Sequence, residues 1–249
     1  MKTTSESTEE GRLYKLFLLI FIPTILTTSV YIILGFMQNA IPSILLFFLC
    51  ALFILFPIEL GIIIHASKKE YGRYSLKSAF SRYEKLSRTK IFLYGVGLFA
   101  FSGIASVTVA PLENYLLAPI SNRLAQLTPA YFDWTDFDSL KLYPKNILIV
   151  TCAAYFVLNA VMGPIVEELF FRGYLPSKIS RLGNWAPLII TVLFSLYHLW
   201  LPFNNLFRII AFYPAAFLAW KKKNIYISIV FHCLCNIFSC VSFFLALLQ

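Results

Sequence analysis

The chain has 249 residues, of which 59% are hydrophobic and 13% are charged, and its mean hydropathy is +0.75. Soluble domains average about 25% charged residues, so this composition excludes an ordinary soluble protein. The formal net charge of +9 invites a nucleic-acid partner, but the basic residues lie in particular loops between apolar runs, which argues against one. The chain is interpreted as a polytopic membrane protein whose partner is the lipid bilayer.

Seven membrane spans are predicted, because several apolar runs exceed the ~18 residues needed to cross a bilayer. They are residues 13–37, 41–67, 91–110, 147–174, 186–200, 206–220 and 225–248. The predicted fold class is therefore all-α, a polytopic transmembrane helix bundle of about seven spans. Residues 1–12 form a polar head predicted to be cytoplasmic and disordered, and residues 13–249 form a single transmembrane domain.

The distribution of lysine and arginine predicts the orientation of these spans. The chain start and the loops after spans two, four and six hold 16 basic residues, whereas the opposite loops hold three, Arg123, Lys141 and Lys145. With seven spans, the N-terminus is predicted to be cytoplasmic and the C-terminus outside, in a bacterial cytoplasmic membrane. The long outer segment, residues 111–145, combines acidic and aromatic residues and is predicted to lie along the outer membrane surface.

The fourth span carries an unusual group of charges. Glu167, Glu168 and Arg172 lie within six residues inside an otherwise apolar run, and charges at membrane depth are rare, paired or functional. On a helix, Glu168 and Arg172 are four residues apart and can pair on one face. Glu167 is turned about 100° away from Glu168, so it does not share that partner easily. This spacing predicts one neutralised glutamate and one working glutamate.

Two further polar clusters interrupt later spans. FSLYH places Phe194 and His198 on one face of span five, and HCLCN places His232 and Asn236 on one face of span seven. Polar side chains in lipid face a bundle interior or a wet cavity. Three helices that turn such faces inward predict a single functional site among the later helices.

These residue types favour the activation of water, because no serine, threonine or cysteine has a plausible base and orienting group beside it. In one scheme Glu167 is a general base assisted by His198, while His232 and Asn236 donate hydrogen bonds to an oxyanion. In the other scheme Glu167, His198 and His232 bind zinc, and a metal-bound water attacks. Residue types and spacing leave both schemes open.

Two other ionisable residues within spans were considered. Glu59 lies in span two and is a candidate for the same cavity, with a structural role as the alternative. Arg208 lies near the outer end of span six, where its long side chain is predicted to reach the membrane interface.

The three motifs together resemble a known family. EELFFR, FSLYH and HCLCN are similar to the EExxxR, FxxxH and HxxxN motifs of the CPBP family of intramembrane endopeptidases. That family groups the type II CAAX prenyl proteases with bacteriocin-processing and bacteriocin-immunity (Abi) proteins. The resemblance covers residues 146–240, which are therefore predicted to be the catalytic core.

The resemblance implies an endopeptidase that hydrolyses a peptide bond of a membrane-associated protein or peptide, in a cavity open to the cytosolic side. It implies that Glu167 and His198 activate water, that His232 and Asn236 form the oxyanion hole, and that Glu168 and Arg172 are supporting residues; Phe194, on the face of His198, is placed with them. No metal cofactor is expected, with zinc on Glu167, His198 and His232 as the alternative. The competing interpretation is a non-catalytic membrane immunity or scaffold protein of the same family.

Overall fold

A computed structural model describes the backbone of residues 4–248 and the side chains of residues 13–123 and 125–248. This part of the chain is 83% helical and contains no strands, which confirms the all-α prediction. The helices are α1 (Thr4–Met37), α2 (Ser43–Tyr71), α3 (Arg88–Leu127), α4 (Phe137–Lys141), α5 (Lys145–Lys178), α6 (Trp185–Tyr197), α7 (Asn205–Lys222) and α8 (Tyr226–Leu248). Short 3₁₀ turns lie at Lys77–Phe80, Ala130–Phe132 and Ser180–Leu182.

The seven predicted spans all contain helices, but the count of seven membrane crossings is not confirmed. Within the described residues, five helices are long and apolar enough to cross a bilayer, namely α1, α2, α3, α5 and α8. Helix α6 has 13 residues, which is about 20 Å and shorter than the ~30 Å hydrocarbon core. Helix α7 has 18 residues and includes Arg208, Lys221 and Lys222, so its apolar part is short as well.

Helix α1 is described from Thr4 to Met37, so the backbone of residues 4–12 is helical, and the disorder of the head stays a prediction. The first three residues of the predicted head lie outside the described residues.

Helix α3 continues well beyond the predicted end of span three at residue 110. It has 40 residues and includes Pro111 and Pro119. A proline removes one backbone hydrogen bond but does not necessarily end a helix. At 1.5 Å per residue α3 is about 60 Å long, roughly twice the hydrocarbon thickness. The first half of the predicted outer segment is therefore helical, and Ala130–Phe132 and α4 form the rest.

One end of the bundle gathers the basic loops and is called the basic end here. It consists of residues 72–87, 179–184 and 223–225. Asn224 Nδ2 donates to the backbone oxygen of Glu84 at 2.8 Å, and Lys223 pairs with Glu84. The guanidinium of Arg82 lies 3.4 Å from the ring centroid of Trp220. These contacts close the loops over the helix ends.

The opposite end is formed by residues 38–42, 128–136 and 198–204 and is called the aromatic end. The ring centroid of Phe47, in the second turn of α2, lies 5.1 Å from that of Trp134 and 4.6 Å from that of Trp200. Trp134 Nε1 also donates to the Tyr31 hydroxyl at 3.1 Å. The outer segment therefore packs onto the bundle through aromatic rings.

Two glycines mark close helix approaches. A Cβ on Gly173 of α5 would lie 2.5 Å from the backbone oxygen of Ala79, and a Cβ on Gly95 of α3 would lie 2.5 Å from a Val230 methyl group. The absence of a side chain at each site lets the neighbouring segments touch, both at or near the basic end.

Candidate active site

A cavity of about 840 Å³ lies inside the bundle, lined by residues of α2, α3, α5, α6, α7 and α8. All the predicted catalytic residues and the predicted supporting residue Phe194 line this cavity: Glu167, Phe194, His198, His232 and Asn236. The other two supporting residues, Glu168 and Arg172, are not among its lining residues. The structure thus brings the three motifs together around one space and separates the two adjacent glutamates.

The two glutamates lie in an unusual stretch of α5. Residues Tyr155–Met162 and Leu169–Tyr174 are π-helical, and the α-helical turn Gly163–Glu168 lies between them. Within that turn Glu167 and Glu168 differ by about 100° in direction. Because π-helical turns are rare and occur often at functional sites, this interruption singles out the segment that carries the glutamates.

Glu168 is paired as the sequence predicted. Its Oε2 lies 3.3 Å from Nε of Arg172, and the two side chains are almost fully buried. The guanidinium also lies 4.1 Å from the ring centroid of Phe194, a distance suited to a cation–π contact. Nη1 and Nη2 of Arg172 have no hydrogen-bond partner among the described residues, so the charge of Glu168 and the ring of Phe194 together compensate the buried cation.

His232 lies between the two glutamates. Its Nδ1 is 3.0 Å from Oε1 of Glu168, and its Nε2 is 3.8 Å from Oε2 of Glu167. A carboxylate only accepts, so His232 donates Nδ1–H to Glu168, and in the neutral ring Nε2 is then the acceptor. This arrangement fixes the tautomer and aims the free nitrogen at the glutamate that lines the cavity. Donation from Nε2, as expected of an oxyanion hole, requires the protonated imidazolium.

Asn236 is anchored to the interrupted stretch of α5. Its Nδ2 donates to the backbone oxygen of Asn159 at 2.8 Å. In the π-helical register, shown by the bond from Gly163 N–H to the Leu158 oxygen, the Asn159 oxygen would be paired with residue 164. That residue is Pro164, which has no N–H. Asn236 takes the acceptor that proline leaves free, and its second N–H remains available to the cavity.

His198 follows the last residue of the short helix α6. Its Nδ1 is 2.7 Å from the backbone oxygen of Phe194, so Nδ1–H donates to that oxygen and Nε2 is the free acceptor. If the predicted span five were one continuous helix, a count of residues from its cytosolic end would place His198 deeper in the membrane than Glu167. Because α6 ends at Tyr197 and the chain then turns through residues 198–204, both side chains line the same cavity.

The metal alternative finds little support in the geometry of the donors. Within the described part of the chain, no group of three histidine, cysteine, aspartate or glutamate side chains is placed to hold a metal ion. Glu167, His198 and His232 therefore do not fit a zinc site as they stand, and no step is derived through one.

Sequence reasoning missed the role of Arg208. It was predicted to reach the membrane interface, but it lines the cavity and is partly buried. Its Nη1 donates to the Ser195 oxygen at 3.0 Å, and its Nη2 donates to the Phe203 oxygen at 3.2 Å. Arg208 thus ties the end of α6 to the loop that follows His198. These partners are backbone atoms, and no sequence motif signals them.

Glu59 is close to the site without lining the cavity. It is fully buried, and its Oε1 accepts a 2.8 Å hydrogen bond from the hydroxyl of Tyr197, the residue before His198. Its Oε2 has no hydrogen-bond partner among the described residues. The backbone oxygen of Tyr197 in turn accepts from Thr24 Oγ1 at 2.6 Å. The last turn of α6 is therefore held by polar contacts from both α1 and α2.

The cavity does not extend toward the basic loops. From Glu167 and His232 it runs to Trp134, Trp200 and Ser242, which lie toward the aromatic end. The resemblance implied a cavity open to the side of the basic loops. In the structure the cavity instead runs from Glu167 and His232 toward the other end.

Comparison with known proteins agrees with the motifs. Residues 149–238 match the family model described as Rce1-like, type II CAAX prenyl endopeptidase. The matched range contains all the predicted site residues. No curated protein and no solved structure gives a significant match to the chain.

The match confirms the resemblance to the CPBP family and supports a membrane CAAX-protease type of function. The apolar helices agree with an integral membrane protein. Residues 149–238 are thus similar to the Rce1-like type II CAAX prenyl endopeptidases, which agrees with the three motifs.

Proposed function

We propose that this protein is an intramembrane endopeptidase that hydrolyses a peptide bond of a membrane-associated protein or peptide with a water activated by Glu167. The observation that carries the proposal is the separation of the two glutamates. Glu168 is bound by Arg172 and His232, whereas Glu167 lines the cavity together with both histidines and Asn236.

In the proposed reaction Glu167 accepts a proton from water while the water oxygen attacks the carbonyl carbon of the substrate. The C–N bond then breaks, and the proton passes to the leaving nitrogen. His198 helps to hold the water through Nε2, which its hydrogen bond to Phe194 leaves as an acceptor. General-base assistance of this kind contributes roughly 10²–10⁴-fold to a rate.

The oxyanion that forms in this reaction needs donors. The second N–H of Asn236 is one candidate, because its first is fixed on the Asn159 oxygen. His232 becomes a donor at Nε2 only as an imidazolium, and Glu168 stabilises that cation through Nδ1. We propose that the proton that Glu167 takes from water passes to Nε2 of His232, 3.8 Å from Glu167 Oε2, as the oxyanion forms. The same proton moves on to the leaving nitrogen when the C–N bond breaks, and Glu168 and Arg172 hold the ring for these steps.

The test compares cells that carry the wild type, Glu167→Gln or Asp138→Asn at equal expression. Asp138 is an exposed carboxylate on α4 and serves as the matched control. New protein N-termini and released peptides are identified by mass spectrometry. Fragments that disappear with Glu167→Gln and persist with Asp138→Asn support the proposal and name the substrate.

Identical fragments in all three strains, with a phenotype that needs the protein, contradict the proposal. That result favours the immunity or scaffold interpretation, in which binding alone suffices.

A further inference from the structure

A second cavity opens at the surface of the bundle, away from the candidate active site. It has a volume of about 810 Å³, is lined by residues of α1, α2 and α5, and shares no lining residue with the cavity of Glu167. Leu19 of α1 and Ile58 and Ile62 of α2 give it an apolar wall. Gly61 also lines it, and a Cβ there would meet no atom within 4 Å. This space is called the α2 groove here.

The α2 groove changes from apolar to basic along its length. Its lining residues on α2 run from Ile58 and Ile62 to His65 and Lys69, and Lys178 at the end of α5 lines it as well. Between Ile58 and Lys69 the helix rises about 16 Å at 1.5 Å per residue, which is close to half of the ~30 Å hydrocarbon core. The groove therefore matches the depth of one leaflet, with its charged residues toward the basic end of the bundle.

The positive charge in this groove is not balanced by the protein. Among the described residues, Glu70 is the one carboxylate that lines the groove. It already pairs with Lys178 and accepts from Ser78 Oγ at 2.6 Å. Lys69 is exposed and has no carboxylate partner among the described side chains. Its ammonium group, with three donors, is therefore free to bind an anion.

A phospholipid fits the α2 groove better than a helix of a second copy of the chain. An apolar helix packed there would cover Lys69 without an anion to pair with it, and burial of an unpaired charge is costly. An anionic phospholipid brings an acyl chain for the apolar wall and a phosphate for the lysines. Basic pockets between transmembrane helices on the cytoplasmic side bind such headgroups.

We infer that the α2 groove binds one anionic phospholipid, with an acyl chain along Ile58 and Ile62 and its phosphate at Lys69 and Lys178. By the positive-inside rule this lipid belongs to the cytoplasmic leaflet. The inference does not depend on the proposed peptidase function, because the groove and the cavity of Glu167 are separate.

The bound lipid joins α2 to the end of the helix that carries the glutamates. Tyr174 of α5 lines the groove, and its ring lies 4.6 Å from Lys178 Nζ. The same ring stacks on Phe170, with centroids 6.1 Å apart, and Phe170 is fully buried. A ligand that binds only the folded protein stabilises it by mass action, so the lipid is expected to stabilise this part of α5.

The test measures thermal unfolding of the full chain in a neutral detergent. Phosphatidylglycerol, which is anionic, is added to one sample, and phosphatidylcholine with the same acyl chains, which has no net charge, is added to another. At ten times its Kd, a ligand of the folded state is expected to raise the unfolding midpoint by roughly 3–6 °C. This rise is expected with phosphatidylglycerol, and a smaller one with phosphatidylcholine.

Two pairs of variants locate the effect. Gly61→Leu fills the groove without a clash at Cβ, and Gly97→Leu is its control, because Gly97 is equally free of neighbours and lines neither cavity. Lys69→Gln removes the unpaired charge. Lys85→Gln is its control, since Lys85 is an exposed residue of the basic end that does not line the groove.

The difference in midpoint between the two lipids is expected to be largely lost in Gly61→Leu and Lys69→Gln and to be kept in both controls. Native mass spectrometry is expected to count one more bound phosphatidylglycerol in the wild type than in Gly61→Leu. A full difference in both groove variants overturns the inference. Equal midpoints of the wild type in the two lipids overturn the assignment of an anionic headgroup.

A second copy of the chain in the groove gives a different result. In that case Gly61→Leu changes the oligomeric state and leaves the effect of the lipid as it was, which also overturns the inference. No cleavage is measured in these experiments, so their outcome is independent of whether Glu167 activates water.

Discussion

Oε2 of Glu113 lies 2.7 Å from the backbone nitrogen of Phe207, so a carboxylate from α3 caps the first turn of α7. Oε1 accepts from Leu206 N–H at 2.9 Å, and Glu113 is buried. Asn204, which precedes α7, makes no side-chain cap hydrogen bond. A residue 93 positions away in sequence thus supplies the acceptor and the negative charge that a helix N-terminus needs.

Replacement of this cap is expected to destabilise the protein. Glu113→Ala leaves two N–H groups in the first turn of α7 without their acceptor and is expected to cost about 1–2 kcal/mol of unfolding free energy. Glu113→Gln keeps one acceptor and is expected to cost less. Unfolding in mixed detergent micelles measures both, with Asp138→Ala as an exposed control; equal stability of Glu113→Ala and wild type contradicts the cap.

The pair of Glu168 and Arg172 is expected to behave as a unit. Glu168→Gln leaves a buried guanidinium without its counter-ion, and the loss of one partner of a buried pair costs about 3–5 kcal/mol. Glu168→Leu with Arg172→Met removes both charges and is expected to recover most of that stability. The midpoint of thermal unfolding in detergent measures this recovery.

The cleavage activities of the same variants are expected not to follow their stabilities. The double variant removes the acceptor of His232 Nδ1, so it is expected to remain inactive although it is stable. Full activity in the stable double variant would show that Glu168 does not position His232. A single Glu168→Gln variant as stable as the wild type would show that the ion pair is not a unit.

Replacement of Gly173 by alanine is expected to disturb the packing of α5. Gly173→Ala brings a Cβ to 2.5 Å from the Ala79 oxygen, and the resulting shift of the backbone is expected to cost roughly 1–3 kcal/mol. Gly97→Ala meets no atom and is expected to be neutral or stabilising by up to about 1 kcal/mol, because alanine favours a helix. Similar unfolding free energies for the two variants would contradict the close approach at Gly173.

Tyr197 is expected to position His198 through Glu59. Tyr197→Phe removes the one side-chain hydrogen bond that Glu59 makes among the described residues and is expected to cost about 1–3 kcal/mol, since the carboxyl group stays buried. In Glu59→Gln the amide can still accept from the hydroxyl, so a smaller loss is expected. A double-mutant cycle of unfolding free energies measures the coupling, and additive costs would mean that the two side chains do not interact energetically.

Local spacing was sufficient to predict part of this site. The four-residue interval between Glu168 and Arg172 implies one helical face, and that pair exists. The rarity of ionisable groups in apolar spans selected Glu167, His198 and His232, which line one cavity. These features depend on neighbours along the chain or on composition.

Other features depend on contacts between segments that are far apart in the chain, and local sequence patterns do not reveal such contacts. Arg208 binds backbone oxygens of residues 195, 201 and 203, and any residue there would present the same atoms. The continuation of α3 through Pro111 depends on its packing against α7, whereas proline alone suggested a boundary. The number of membrane crossings depends on whether α6 and α7 are long enough to cross the bilayer. The lengths of the apolar runs in the sequence overestimated the lengths of these two helices.

The π-helical stretch Tyr155–Met162 absorbs extra chain length in α5 ahead of the two glutamates. A π-helical turn holds one residue more than the α-helical turn that would replace it. Deletion of one residue from this stretch would therefore leave an ordinary α-helical turn, and Glu167 and Glu168 would keep their directions. The same deletion in the purely α-helical part of α5, Lys145–Ala154, has no wide turn to absorb it and would rotate one part of the helix against the other by about 100°. Tolerance to single-residue deletion is therefore expected to be greater inside the π-helical stretch than beside it.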